Sequence, residues 1–326
     1  MALSPDAAAA REITLIAEMA DILRRKMERD HPEGATRRDA HPKTLGVLAG
    51  SFTVEDGLPA ALRVGVFSEP RRFECWVRLS NASAKLQADS VPDLRGLAIK
   101  LLYTSGRDGR AAPLGQDFVL LSHPTMPLGT VELFRDLVYY SAERSMLQLL
   151  VKFIATGRLG VLRQLRAART SPSSPLDIPY WSTTPYRFGA KREVKYSVLP
   201  TSGYRSPQLG ARAANYLSAA MAAHLDTQDA SFDFCVQLRQ ADMPLEDAAV
   251  RWDEAVSPFL KVATLQIPRQ QFRTPERDAL GEALSYSPGN AWPEHAPLGG
   301  INRARIAIYQ QLAAFRLARD KRAGVV

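Results

Sequence analysis

The chain reads as an α+β protein, a closed antiparallel β-barrel with inserted and flanking helices. Three observations predict this. Seven short runs, at Thr44–Val54, Phe73–Ser80, Gly96–Tyr103, Asp117–Ser122, Arg192–Leu199, Ser231–Arg239 and Phe259–Pro268, alternate or are β-rich. They are separated by Gly, Pro and Asp turns, and helical periodicity interrupts them rather than alternating with each. No internal repeat or low-complexity tract breaks the 326 residues, a length that one large barrel domain can use.

The first element is a helix over 4–30. Ser4 is placed to cap it, Pro5 suits its first position, Asp6 suits its N-terminal dipole, and Ile13, Ile16, Ala20, Leu23 and Met27 form its apolar stripe. Residues 31–42, with two prolines, a glycine and clustered charge, end it. In the run Phe73–Ser80, Trp76, Arg78 and Ser80 share one face and Phe73, Cys75, Val77 and Leu79 the other. By pattern alone, the face with Arg78 and Ser80 is expected to meet solvent. Residues 130–169 are helical. Within them Arg158, Arg163, Arg166 and Arg169 alternate with Leu159, Leu162 and Leu165, which suits a solvated surface helix or, less commonly, one resting on an anionic membrane. The Pro/Ser-rich stretch 170–179 is expected to be a hinge within one fold, so the chain divides into an arm (1–34) and one domain (35–326). A helix is expected over 207–225, and a long Pro/Gly-rich loop over 281–300 leads to a last helix at 302–316.

Composition sets bounds. The chain is 46% hydrophobic and 23% charged, ordinary for a globular protein, with a net charge of +8 that favours anionic partners. Two distant cysteines, Cys75 and Cys235, predict no disulfide and a reducing, cytoplasmic setting, and no secretory signal is seen at the N-terminus. The most apolar helix, 146–155, is too short to span a bilayer and contains Lys152. Phosphate-loop, dinucleotide, zinc-protease and serine-hydrolase motifs are absent, and the five histidines show no metal-ligand spacing. The basic charge lacks the aromatic interleaving of a nucleic-acid groove.

In the last helix Arg305 and Tyr309 are four apart, so they share a face. A guanidinium beside a phenol favours the phenolate, a hard anionic ligand suited to ferric iron and one of the few proximal haem ligands in proteins. Alone, the pair is better read as an ordinary packed tyrosine and a solvated arginine. Four ordered segments alter that weighting: R-x-x-H at Arg38–His41 followed by PKTLGVLAGSF; WVRLSNASAKLQADSVPDLRGLAIKLL at 76–102; QDFVLLSHP at 116–124; and R-x-x-x-Y at Arg305–Tyr309. Together they resemble the haem catalase superfamily over roughly residues 35 to 316, with the second segment the most specific. TPYRFGAKREVKYSVLP (184–200) and FLKVATLQIP (259–268) look like barrel segments of the same family. The chain looks like a minimal member, lacking the long N-terminal arm and the C-terminal extension.

The resemblance implies a catalase-like antiparallel eight-stranded barrel holding haem b. Tyr309 would be the axial ligand to ferric iron, Arg305 its charge partner and His41 the distal acid–base. Ser80 would orient the His41 ring, and Arg38 and Arg78 would pair with haem propionates. Phe134 is the nearest candidate for an aromatic over the haem, although a core role suits it as well. The distal asparagine of catalases is absent. Ser122 occupies its place, with His123 beside it, and a one-residue shift would put Leu121 there. A hydroxyl replaces an amide N–H donor. The expectation is therefore a haem-dependent oxidoreductase acting on hydrogen peroxide or an organic hydroperoxide, a peroxidase rather than a fast catalase, with an unassigned electron donor. The alternatives are a fatty-acid hydroperoxide isomerase or lyase like the coral allene oxide synthases, which Ala40 in place of their Thr does not support, or a low-turnover haem-binding or sensing protein. No nucleic acid and no integral membrane segment are expected, peripheral membrane contact stays open, and a monomer or homodimer is expected.

Overall fold

A computed structural model describes residues 4–33, 38, 41–102, 115–207 and 213–322, with side chains through 319. The expectations at Ala40 and Tyr103 and the first part of the 207–225 helix fall outside these residues.

The strands are β1 (Thr44–Val54), β2 (Arg72–Asn81), β3 (Arg95–Leu102), β4 (Gln116–Leu121), β5 (Tyr180–Trp181), β6 (Tyr186–Arg187), β7 (Glu193–Pro200), β8 (Ala230–Leu238) and β9 (Phe259–Ile267). All pairings are antiparallel, in the order β5-β4-β3-β2-β1-β9-β8-β7. The two-residue β5 pairs with β4 through Leu121–Trp181 and with β7 through Tyr180–Val198, which closes an eight-stranded barrel; β6 pairs further along the same edge of β7 through Tyr186–Val194 and Arg187–Glu193. Closure leaves no long unpaired edge. The two short strands at the seam are too brief to leave a periodic signal, and the seven longer ones match their expected spans within one or two residues.

Inward-facing residues fill the barrel. Phe52, Phe67, Phe118 and Phe234 meet at ring-centroid distances of 4.6–6.4 Å, and Tyr196 joins them. The barrel is therefore a packed core, and a large ligand has to sit on its outside. On β2, Cys75, Val77 and Leu79 point into this core as the alternation predicts. The opposite face is not solvent. Arg78 is only 5% exposed and Ser80 only 2%. The expectation of a solvent face fails because other segments cover that side of the sheet, which strand alternation cannot foresee.

Seven helices are described: α1 (Pro5–Asp30), α2 (Val131–Glu143), α3 (Met146–Ala155), α4 (Leu159–Ala168), α5 (Tyr216–Thr227), α6 (Pro275–Ala283) and α7 (Gly300–Arg322). The Ser4 hydroxyl caps α1 at the Ala7 N–H, as expected. The expected single helical stretch of 130–169 is three helices. Thr130 and Ser145 cap the first two, and Gly157, at φ 68°, takes the left-handed turn between α3 and α4. α6 runs three residues into the expected 281–300 loop, and Thr274 and Pro275 form its N-terminal signal. α1, α2 and α7 share a second core of Met19, Ile22, Val131, Val138, Ile308 and Leu312. Bidentate Arg303–Glu12 and Arg135–Glu18 contacts fasten α1 to that layer. Both cysteines are free and buried, and burial raises both thiol pKa values, so they are packing residues. No described helix is long and apolar enough to cross a membrane.

Candidate active site

The site forms where the outer face of β1–β3 meets α6, α7 and the segment between them. Ser80, Gly96 and Leu121 lie side by side across β2, β3 and β4. His41 sits just before β1 at φ 55°, a left-handed conformation that is costly for most side chains and better tolerated by His. Its Nδ1 lies 3.0 Å from Ser80 Oγ, and an added Cβ on Gly96 would come within 2.8 Å of both. Glycine at 96 is thus what lets the imidazole rest on the sheet. This gives a physical reason for the Gly of the D-x-R-G segment. Its Arg95 does structural work instead, bonding Asn81 and the Asp89 and Thr170 carbonyls.

Arg78 donates through Nη2 to the His41 carbonyl (2.7 Å) and Thr44 Oγ1 (2.8 Å), fixing the backbone on which the imidazole is carried. Arg38 donates to the carbonyls of Gly281 (2.7 Å) and Leu284, and Arg316 donates to that of Glu282. The C-terminal end of α6, where carbonyls lack helical partners, therefore holds two guanidinium groups. Arg38, Arg78 and Arg316 lie in one another's fields. Burial, then Arg78 and Arg316, lowers the Arg38 pKa to about 9. The Nε of Arg38, the Nε of Arg78 and the Tyr286 hydroxyl are buried without hydrogen-bond partners. Such a cluster calls for an anion. Arg316 was not singled out for the site from sequence; its signal is its position seven residues after Tyr309 on one helical stripe.

At the other end, the Arg305 guanidinium lies 5.8 Å from the half-buried Tyr309 ring. Asn302 and Thr184 hold Arg305 through contacts of 3.4 Å each, and Thr184 follows Thr183, at φ 60° the other non-glycine residue with positive φ among the described residues. Burial opposes the Arg305 charge, but Tyr309 and Tyr186 outweigh it and the pKa is raised. His41 is held in its neutral form, with a pKa lowered to about 3 by burial and then by Arg78, Arg305 and Arg38. The two ends are thus in electrostatic contact.

The structure brings His41, Ser80, Arg38 and Arg78 together and places Arg305 with Tyr309. Ser122 follows β4, and its Oγ accepts the Arg95 N–H at 2.8 Å. Phe134 packs in the α1/α2/α7 core with Tyr309. His123 bonds the Thr125 carbonyl at 2.9 Å.

No protein-family model matches the chain, and no curated protein does. Solved structures do. A fungal catalase matches with a TM-score of 0.71 and 17% identity over 88% of this chain and 60% of its own. A bacterial catalase matches with 0.69 and 17% over 92% and 61%, and catalase A from Saccharomyces cerevisiae with 0.70 and 16% over 88% and 62%. The chain spans about three fifths of the length of each. With the barrel closure and strand order above, these likenesses establish that the chain has a catalase-like fold.

Proposed function

We infer that the protein is a haem-dependent oxidoreductase acting on hydrogen peroxide or an organic hydroperoxide, with peroxidase turnover exceeding disproportionation. The observation that carries this is a neutral imidazole, pinned by Ser80, inside the field of Arg305, the partner of Tyr309. The arginine cluster fits the group. Its unpartnered Nε donors suit the carboxylates of a porphyrin, and Tyr309 offers an oxygen ligand beside a guanidinium.

Arg38, Arg78 and Arg316 would hold the carboxylates, and Tyr309 would offer its oxygen to the iron. When bound, ferric haem would supply the redox centre that gives peroxide its two electrons and takes them back from a reducing donor. Ser80 occupies His41 Nδ1, and with Nδ1–H donating to the hydroxyl oxygen, Nε2 is the nitrogen left to accept a proton. As a neutral base, His41 takes the proton from the inner peroxide oxygen at Nε2 and returns it to the outer oxygen, which leaves as water or an alcohol. Ser122, whose hydroxyl oxygen is engaged by the Arg95 N–H, offers a weaker grip on peroxide than an amide. That supports the peroxidase reading.

The test is the visible spectrum of protein expressed with ample haem, for wild type and Tyr309→Phe, followed by peroxide turnover with and without a reducing donor. A ferric phenolate spectrum altered in the variant, with donor-dependent turnover, is expected. A wild type that takes up no haem overturns the reading. Fast oxygen release without a donor overturns the preference for peroxidase.

A further inference from the structure

α3 carries apolar side chains on both faces. Leu149 and Phe153 pack inward against Leu128 and α2, while Leu147 is 68% exposed, Val151 58% and Ile154 55%. These three, with the exposed Met146 and Leu150, recur at helical spacing and form one outward stripe. A helix that is apolar all round normally lies in a core or a membrane. The sequence reads α4 as a solvated surface helix or, less commonly, one resting on a membrane, and Leu162 and Leu165 turn inward against Phe153 and its neighbours. The exposed apolar surface belongs to α3 because the turn at Gly157 folds α4 back onto that core.

Charge identifies what covers the stripe. From residue 144 to 176 there is no Asp or Glu, while Arg144, Lys152, Arg158, Arg163, Arg166 and Arg169 fall within it. Lys152 and Arg158 face Asp136 at 2.7 and 3.9 Å. Arg163, Arg166 and Arg169 are exposed and have no ion-pair partner among the described residues. An apolar stripe bordered by unneutralised arginines matches the interface of an anionic bilayer, where apolar side chains enter the acyl boundary and cations stay with the headgroups. We propose that α3 and α4 form a peripheral docking surface for anionic lipid membranes, α3 inserting its outward stripe and α4 contacting headgroups. This does not depend on the haem reading.

The experiment is co-sedimentation of the full chain with vesicles of phosphatidylcholine alone and with about one third phosphatidylserine. Two variants accompany wild type: Leu147→Ser/Val151→Ser/Ile154→Ser and Arg163→Gln/Arg166→Gln. All five positions are exposed, and circular dichroism verifies folding. Wild type is expected to bind the anionic vesicles preferentially. The arginine variant should bind roughly thirty-fold more weakly, from about 1 kcal/mol for each of the two basic residues, and the apolar variant at least tenfold more weakly. Equal binding to both vesicle types, no binding, or unchanged binding by both variants overturns the proposal. So does wild-type dimerisation on gel filtration that the apolar variant abolishes without any vesicle binding, which would make the stripe a contact between copies.

Discussion

A Cβ on Gly96 would lie 2.7 Å from Nδ1 of His41 and 2.8 Å from Oγ of Ser80. The His41–Ser80 pair therefore exists only because position 96 lacks a side chain. Gly96→Ala should displace the ring, lowering peroxide turnover about a hundredfold and stability by about 1–3 kcal/mol. Steady-state kinetics and thermal unfolding check this, and unchanged kinetics would show that the ring position is unimportant.

Ser80→Ala removes the group that holds His41 Nδ1 while leaving the proposed acid–base in place. Turnover should fall roughly ten- to hundredfold with haem content unchanged. Loss of haem instead would assign Ser80 to cofactor binding.

The acid side of the pH profile should be unusual. Burial and three guanidinium groups lower the His41 pKa to about 3, so kcat/KM should show no limb near 6.5 from this residue. Stability carries the same sign. The unfolded chain binds a proton near 6.5 that folded His41 refuses until about 3, and burial lowers His295 to about 4. The stability is fully present above 6.5 and is lost as pH falls toward those values, at up to about 1.4 kcal/mol per pH unit for each histidine. His41→Gln should reduce the slope between pH 6 and 4.5 by about that amount in denaturant titrations; an unaltered slope would refute the assignment.

Arg38→Met removes one of three mutually repelling guanidinium groups but also its bonds to α6 carbonyls. The opposing effects should leave ligand-free stability within about 1–2 kcal/mol of wild type, while haem dissociates at least roughly tenfold faster. Equal haem retention would remove Arg38 from carboxylate binding.

Much of this was legible in the chain. The long strands announce themselves by alternation, and the ordered segments around His41, Arg78, Ser80, Arg305 and Tyr309 pointed to one family of folds. Leu121 and Ser122 were less legible because only strand pairing sets their position: Leu121 sits opposite Gly96, while Ser122 turns its hydroxyl oxygen to the Arg95 N–H. Arg316 lay within the helical stripe of Tyr309, but nothing in one sequence says that α6 ends beside it.

The sequence by itself determined the barrel class, the Ser4 cap of α1 and the residue types of the candidate site, because these depend on periodicity, local propensity and short-range hydrogen bonding. Only the tertiary structure decided that the Arg78 and Ser80 face is buried, that Arg38 and Arg316 meet at the end of α6 within the field of Arg78, and that the outward apolar face belongs to α3. Those depend on which distant segments cover a surface. Burial and the summed field of distant charges are properties of the packed chain, and no local pattern encodes them.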